Sequence, residues 1–350
     1  MSKLVVNTVG PATSVQDAGR YGAQRYGLTP SGAMDLLGLA AANCVAGNLV
    51  FGAAIEIGPL GASFTVRDGT VRIALAGARR SAKAGDHDIA MYHSVIVAEG
   101  ETLTLGAARD GAFSYLAIEG GVQGEPMFGS LAVNTRAGLG SPYPRALQPG
   151  DEIPVATASV SAERAIVIPA RSEGPVRVVL GPQDDEFSSE AVQLFLDGEW
   201  KISGTSDRMG YRLEGPAIRH LHGHNIVSDG TVNGSIQVPG SGQPIVLMPD
   251  RGTSGGYPKI ATVIGADLGR FAQIPAGRGF RFRAVSMAEA QTEARVMAEL
   301  LRSLPGRLRE PTGFDLDIEA LQNANVAGAA VNAFDAGTWQ PENSSGGHQP

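Results

Sequence analysis

Glycine and proline set the strongest limit on this chain: 47 glycines and 21 prolines among 350 residues leave little room for long uninterrupted elements. Between them lie short runs rich in β-branched and apolar residues, at 62–67, 70–76, 94–98, 102–105 and 113–119. Their spacing and turn chemistry predict a barrel or sandwich rather than a wound α/β sheet. Strand-dense sequence resumes at 176–180, 236–248, 259–264 and 279–285. Helices are few. Asp35 is the N-cap of one that runs to about Val45, where Gly47 and Asn48 stop it. A second is expected over 184–196, where Phe187, Ala191, Leu194 and Phe195 recur at helical spacing. Ser286 caps a third, with Glu289 completing a capping box and Pro305 closing the helix after Ser303. The expected fold class is mostly β with a few helices, in two β-rich subdomains.

A length of 350 residues predicts roughly two domains. The Ala, Ser and Pro-rich stretch 156–175 suggests a boundary near residue 165. The expected division is 1–165 and 166–305, both β-rich, then an appendage over 306–350 whose polar end, from Gly337, reads as disordered. The net charge of −7, with only four lysines and no basic block, argues against a nucleic-acid partner. Residues 36–55 carry no charge, but Asn43, Asn48 and three glycines fit a buried helix better than a membrane span. Cys44 is the single cysteine, which excludes an intrachain disulfide and suits a reducing compartment. With no apolar leader in the first ten residues, the expected location is the cytoplasm.

Neither a Walker-type phosphate loop nor an HExxH zinc motif occurs, and no lysine stands between methionines as a biotinylated one would. His220, His222 and His224 alternate, and on a strand they would present three imidazoles on one face. Gly223 breaks that strand and no carboxylate spacing completes a site, so no metal is expected.

Three polar, glycine-punctuated segments hold groups that packing alone does not ask for. The first runs from Gly10-Pro11 through Gln16, Asp17 and Arg20 to Ser31-Gly32-Ala33-Met34-Asp35. The second is SDRMGYRLEG at 206–215, with Arg208 and Arg212. The third holds Gln237, Gln243, Asp250-Arg251 and GGYPK at 255–259, with Tyr257 and Lys259. In this order they resemble the family of biotin-dependent carboxyltransferases and 5-oxoprolinase C subunits, also known as allophanate hydrolase subunit 2 or Kip antagonist and related to urea amidolyase. The resemblance spans about residues 5–300. SDRMGYRLEG and GGYPK are its most specific parts.

The resemblance implies cyclophilin-like barrel elements and work inside a complex. Partners would be a B subunit of the allophanate hydrolase subunit 1 type and, in 5-oxoprolinase, an A subunit of the LamB/YcsF type. The leading implied activity is ATP-dependent opening of 5-oxoproline to glutamate, with ATP used by the assembled complex and no cofactor covalently bound here. The alternatives are carboxyl transfer to urea or a related ureide from carboxybiotin on a separate carrier, and a non-catalytic regulatory role of the Kip-antagonist kind. Both reactions develop negative charge on a carbonyl-type oxygen and move a proton at nitrogen. Lys259 is the expected cation, Asp250 the carboxylate and Tyr257 a donor or stacking ring. Gln237 and Gln243 suit an amide, Arg208 and Arg212 a substrate carboxylate. Gln16, Asp17 and Arg20 would bind substrate or brace an interface. All of these are expected to converge on one pocket that grips a planar N–C=O group.

Overall fold

The computed structural model describes residues 1–159 and 162–311, and residues 1–310 form one compact unit. Most of the expected appendage, and all of its polar end, lies outside the described residues. The fold is mostly β. Residues 2–155 build two antiparallel sheets packed face to face. The six-stranded one places Ser2–Val9 between Glu152–Val155 and Ala62–Arg67, and the five-stranded one is centred on Ser114–Ile118. Between them Leu4, Val6, Ile55, Phe64, Ile73, Leu116 and Ile153 form one core.

The five-stranded sheet is buried on both faces, because helix α1 (Leu36–Ala46) lies against its other side. This explains the uncharged run at 36–55: residues 37–46 of the helix are all buried. Asp35 caps it, accepting from the Gly38 amide, and Gly47 ends it in the left-handed conformation. Among the described residues, no helix is long and apolar enough to cross a membrane.

Residues 176–284 form a single eight-stranded sheet. Its two end strands, Gly279–Phe280 and Phe282–Ala284, are separated in sequence only by Arg281. The sheet must therefore curl until its edges nearly meet, which makes it a barrel. Phe195 of α2 (Ser189–Asp197), Trp200, Phe282 and Phe271 of α3 (Gly265–Ala272) fill it. A fully buried aromatic of this size contributes about 2 to 3 kcal/mol.

Several elements differ from expectation. The run 236–248 is two strands, Ser235–Gln237 and Ile245–Leu247, because Pro239 and Pro244 cannot donate to a ladder. The second helix begins only at Ser188, whose hydroxyl caps Ala191, after a separate short turn at Asp184–Glu186. The capping box at Ser286 is present, and α4 (Met287–Ser303) follows it. Helix α3 and the strand Ser2–Val9 were not anticipated.

Candidate functional site

The strand Gly210–Glu214 turns Tyr211 and Leu213 inward and Arg212 and Glu214 outward, the two-residue period of a sheet with one buried face. Register extends Arg212 into a row: it pairs with Ile245, and Ile245 pairs with Gln237. Cross-strand partners share a face, so these three side chains floor a cavity of ≈ 400 Å³ on the barrel's outer surface. The row Gly210–Leu247 continues the floor. Its walls are Asp207 and Met209, the segment 252–257 with Ser254 and Tyr257, and Arg136. Gly255 suits this wall, since a Cβ there would stand 3.3 Å from Gln237 Oε1.

Asp207 Oδ1 accepts the amides of Met209 (2.9 Å) and Gly210 (3.2 Å), which leaves Oδ2 uncommitted. Among the described residues, the side chains of Arg136, Arg212, Gln237 and Tyr257 have no hydrogen-bond or ion-pair partner. Ser254 lies in Gly252-Thr253-Ser254-Gly255-Gly256, which has the G-x-S-x-G spacing of hydrolase nucleophile elbows. The elbow's strand-to-helix turn is missing, because the spacing leads into the strand Lys259–Val263 instead of a helix. No histidine is among the residues that line the cavity, so the Ser-His pairing of those hydrolases is not built here.

The first motif does not reach this cavity directly. Gln16 donates to Val133 O (3.0 Å), Asp17 accepts from Ser130 Oγ (2.7 Å) and Leu131 N (2.8 Å), and Arg20 donates to Ala132 O. All three fasten residues 130–133. The chain then makes a tight hairpin in which Asn134 and Leu139 exchange backbone hydrogen bonds. Asn134 is held by Thr29 and Ser31 and caps the Ala137 amide, and Arg136 stands exposed near the tip. Arg20 is itself buried, and burial lowers its pKa against the pull of Asp17 and Asp250.

Arg208 belongs to a buried charge network instead. It grips Asp250 through Nε (2.9 Å) and Nη2 (3.2 Å), donates to Gly32 O (2.7 Å) and pairs with Glu56. Gly32 has φ +89°, and a Cβ there would meet the Ala18 and Gly19 backbone at 2.8 Å. Glu56 also accepts from Met34 N and Tyr115 Oη, each 2.8 Å away. Tyr115 Oη accepts from Asp35 N (2.7 Å), and Asp35 binds Gln273 and Arg171. Burial works to lower the Arg208 pKa, but Asp250 and Glu56 reverse this and raise it. Burial pushes the Glu56 carboxyl up, with Arg208 opposing. Glu56 was missed from sequence; its one signal was a lone carboxylate in the apolar run 49–60.

The expected convergence of Arg208, Asp250 and Lys259 on one pocket is not what the structure builds. Lys259 is the cross-strand partner of Gln237, beyond a register shift, but it does not line the cavity and is 2% exposed. It is not a solvated edge lysine: Asp229 holds Nζ at 3.0 Å, and Gln183 bonds both Asp229 and the Lys259 amide. The Lys259 contact draws the Asp229 pKa down. Gln243 clamps both backbone groups of Gly215, at 3.2 and 3.1 Å. His220 donates through Nε2 to Val238 O (2.9 Å) from a loop, not from a three-histidine strand. Among the described residues no group of three or more His, Cys, Asp or Glu is arranged to hold a metal ion.

A second cavity, of ≈ 360 Å³, lies among α1, α3, α4 and residues 169–172. Its arginines are already neutralised, Arg171 by Asp35, Arg177 by Asp267 and Glu293, and Arg270 by Asp267. The barrel-face cavity keeps its cations and amide free, which makes it the better ligand site.

The family model described as carboxyltransferase domain, subdomain A and B, matches residues 26–284. A protein of Escherichia coli (strain K12), named as the C subunit of 5-oxoprolinase, is 36% identical over 290 residues, covering 82% of this chain and 93% of that one. Its Haemophilus influenzae namesake is 35% identical over 277 residues, covering 79% and 89%. The crystal structure of the K. lactis urea amidolyase superposes with a TM-score of 0.79 at 27% identity, over 91% of this chain but only 20% of that longer one.

Proposed function

Because this chain belongs to the carboxyltransferase subdomain A and B family, we propose that it is the C subunit of a heteromeric, ATP-dependent 5-oxoprolinase. The observation that carries this is the barrel-face cavity, whose free groups complement a small cyclic amide. Gln237 offers both an N–H donor and a carbonyl acceptor, and Asp207 Oδ2 can accept the ring N–H. Tyr257 can donate to the carbonyl oxygen as negative charge develops there. Ring opening adds one water across the C–N bond and leaves the nitrogen as the amine of glutamate. The driving ATP is used by the assembly, with a B subunit of the allophanate hydrolase subunit 1 type and an A subunit of the LamB/YcsF type. That 93% of the E. coli protein, itself named as one subunit, is matched supports reading this chain as a subunit. Cytoplasmic location is part of the same proposal.

Asp250 and Lys259 keep a supporting place in this reading, Asp250 through Arg208 and Lys259 through its strand pairing with Gln237. Lys259 acts as a catalytic cation only if Asp229 releases it. Full turnover by a Lys259→Met assembly shown to be folded would exclude that role.

The test is reconstitution with the two partners, ATP and 5-oxoproline, measuring glutamate and ADP together. Glutamate release that requires this chain supports the reading; its absence from an assembled, folded complex overturns it. The likeness to urea amidolyase favours one further reading, carboxylation of urea or a ureide from carboxybiotin on a separate carrier. Bicarbonate fixation onto urea would select it, and assembly without either turnover would point to a regulatory role.

A further inference from the structure

We infer that Arg136 and Arg212 form a two-sided carboxylate clamp that makes this cavity select anionic amides over neutral ones. The inference rests on the cavity being the substrate site proposed above. It deepens that reading by assigning the selectivity to two residues from opposite halves of the chain.

Three observations carry it. First, both arginines line one cavity of ≈ 400 Å³, and among the described residues neither has a side-chain partner. Arg208, four positions before Arg212, spends its donors on Asp250, Glu56 and Gly32. Second, the one acid in the cavity lining, Asp207, makes no ion pair with either arginine and holds two backbone amides through Oδ1, so two cations face a single carboxylate. Third, the backbone at Arg136 is held in place. The hairpin that carries it is anchored by Gln16, Asp17, Arg20, Thr29 and Ser31. Arg212 is fixed by strand register.

A planar guanidinium fork matches a carboxylate, and two forks, one from the floor and one from a wall, fix its direction as well as its charge. The bound carboxylate would lie between them, with the amide directed toward Gln237 and Tyr257. A neutral ureide has nothing to offer the pair.

The experiment uses the full-length chain in two arms. In the assembly, KM and kcat are measured for 5-oxoproline and for its neutral carboxamide, 5-oxoprolinamide. On the chain alone, calorimetry measures binding of the same two compounds. Loss of one charge-assisted contact corresponds to about a tenfold to hundredfold change. The preference for 5-oxoproline should therefore fall by that factor in Arg136→Ala and in Arg212→Ala, and further in the double variant, mainly through KM. Arg136→Lys keeps the charge but not the fork and should recover only part of the preference. An unchanged preference in the double variant overturns the clamp while leaving the 5-oxoprolinase reading intact. Arginine-dependent binding of 5-oxoproline by a chain whose assembly turns over neither compound upholds the clamp and overturns that reading. A wild-type chain that binds both compounds equally, or neither, overturns the clamp.

Discussion

Arg208 and Arg212 stand four residues apart in one motif, yet they meet opposite environments. Arg208 enters the seam between the sandwich and the barrel, where Asp250, Glu56 and the Gly32 carbonyl saturate it. Arg212 leaves on the outer face of the strand that follows, Gly210–Glu214, and lines a cavity with no protein partner among the described residues. Strand parity does not separate them, since residues four apart fall on one face: Arg212 faces outward with Glu214, while Tyr211 and Leu213 face the core. The difference is position, since Arg208 precedes the strand and its loop folds back toward Glu56. A charge that the fold has already neutralised holds the halves together, and one left uncompensated is available to a ligand.

The comparison breaks most visibly at Arg208. Arg208→Met leaves two carboxylates buried without their cation and should cost about 3 to 5 kcal/mol of unfolding free energy, read by urea denaturation. A loss below about 1 kcal/mol would mean the network is not holding the seam. Next comes Asp267, which serves Arg177 and Arg270 beside the second cavity. Burial alone would raise its pKa, but hydrogen bonds from Arg177 and Arg270 bring it below the ordinary 3.8. The folded value lies below the unfolded one, so its contribution is full above about pH 4 and is lost as pH falls through the folded value. Asp267→Asn should cost about 2 kcal/mol at neutral pH, and the gap from wild type should narrow as the medium is acidified; a constant gap counts against it.

Smaller effects sharpen the other side. Gln243→Ala removes the clamp on Gly215 and should cost about 1 kcal/mol, with no change in substrate preference. Arg136→Ala and Arg212→Ala should each alter stability by less than about 0.5 kcal/mol, measured by the same denaturation. A larger loss would place those side chains in the scaffold, not at the ligand.

Much of the fold was legible because its signals are local. The caps at Asp35 and Ser286, the strands Ala62–Arg67, Thr102–Leu105 and Val176–Leu180, and the family resemblance all sit in contiguous residues. Three cavity residues, Arg212, Gln237 and Tyr257, were also singled out from their motifs. What stayed hidden depends on register and long-range pairing. Asp250 and Lys259 share a motif but bond to different partners, Arg208 and Asp229, and nothing local distinguishes them. Arg136 is an ordinary arginine in Asn-Thr-Arg-Ala-Gly, and only the anchoring of its hairpin brings it to the cavity.

The barrel's two end strands flank Arg281, so the last strands of the sheet to be synthesised are the ones that shut it. Until residue 284 has left the ribosome, Trp200–Ile202 and Val176–Leu180 each keep an open backbone edge, the condition in which sheets stick to one another. Chains cut before Gly279 should therefore collect in the insoluble fraction, while chains cut after Glu310 stay in solution, a contrast that a truncation series would read directly.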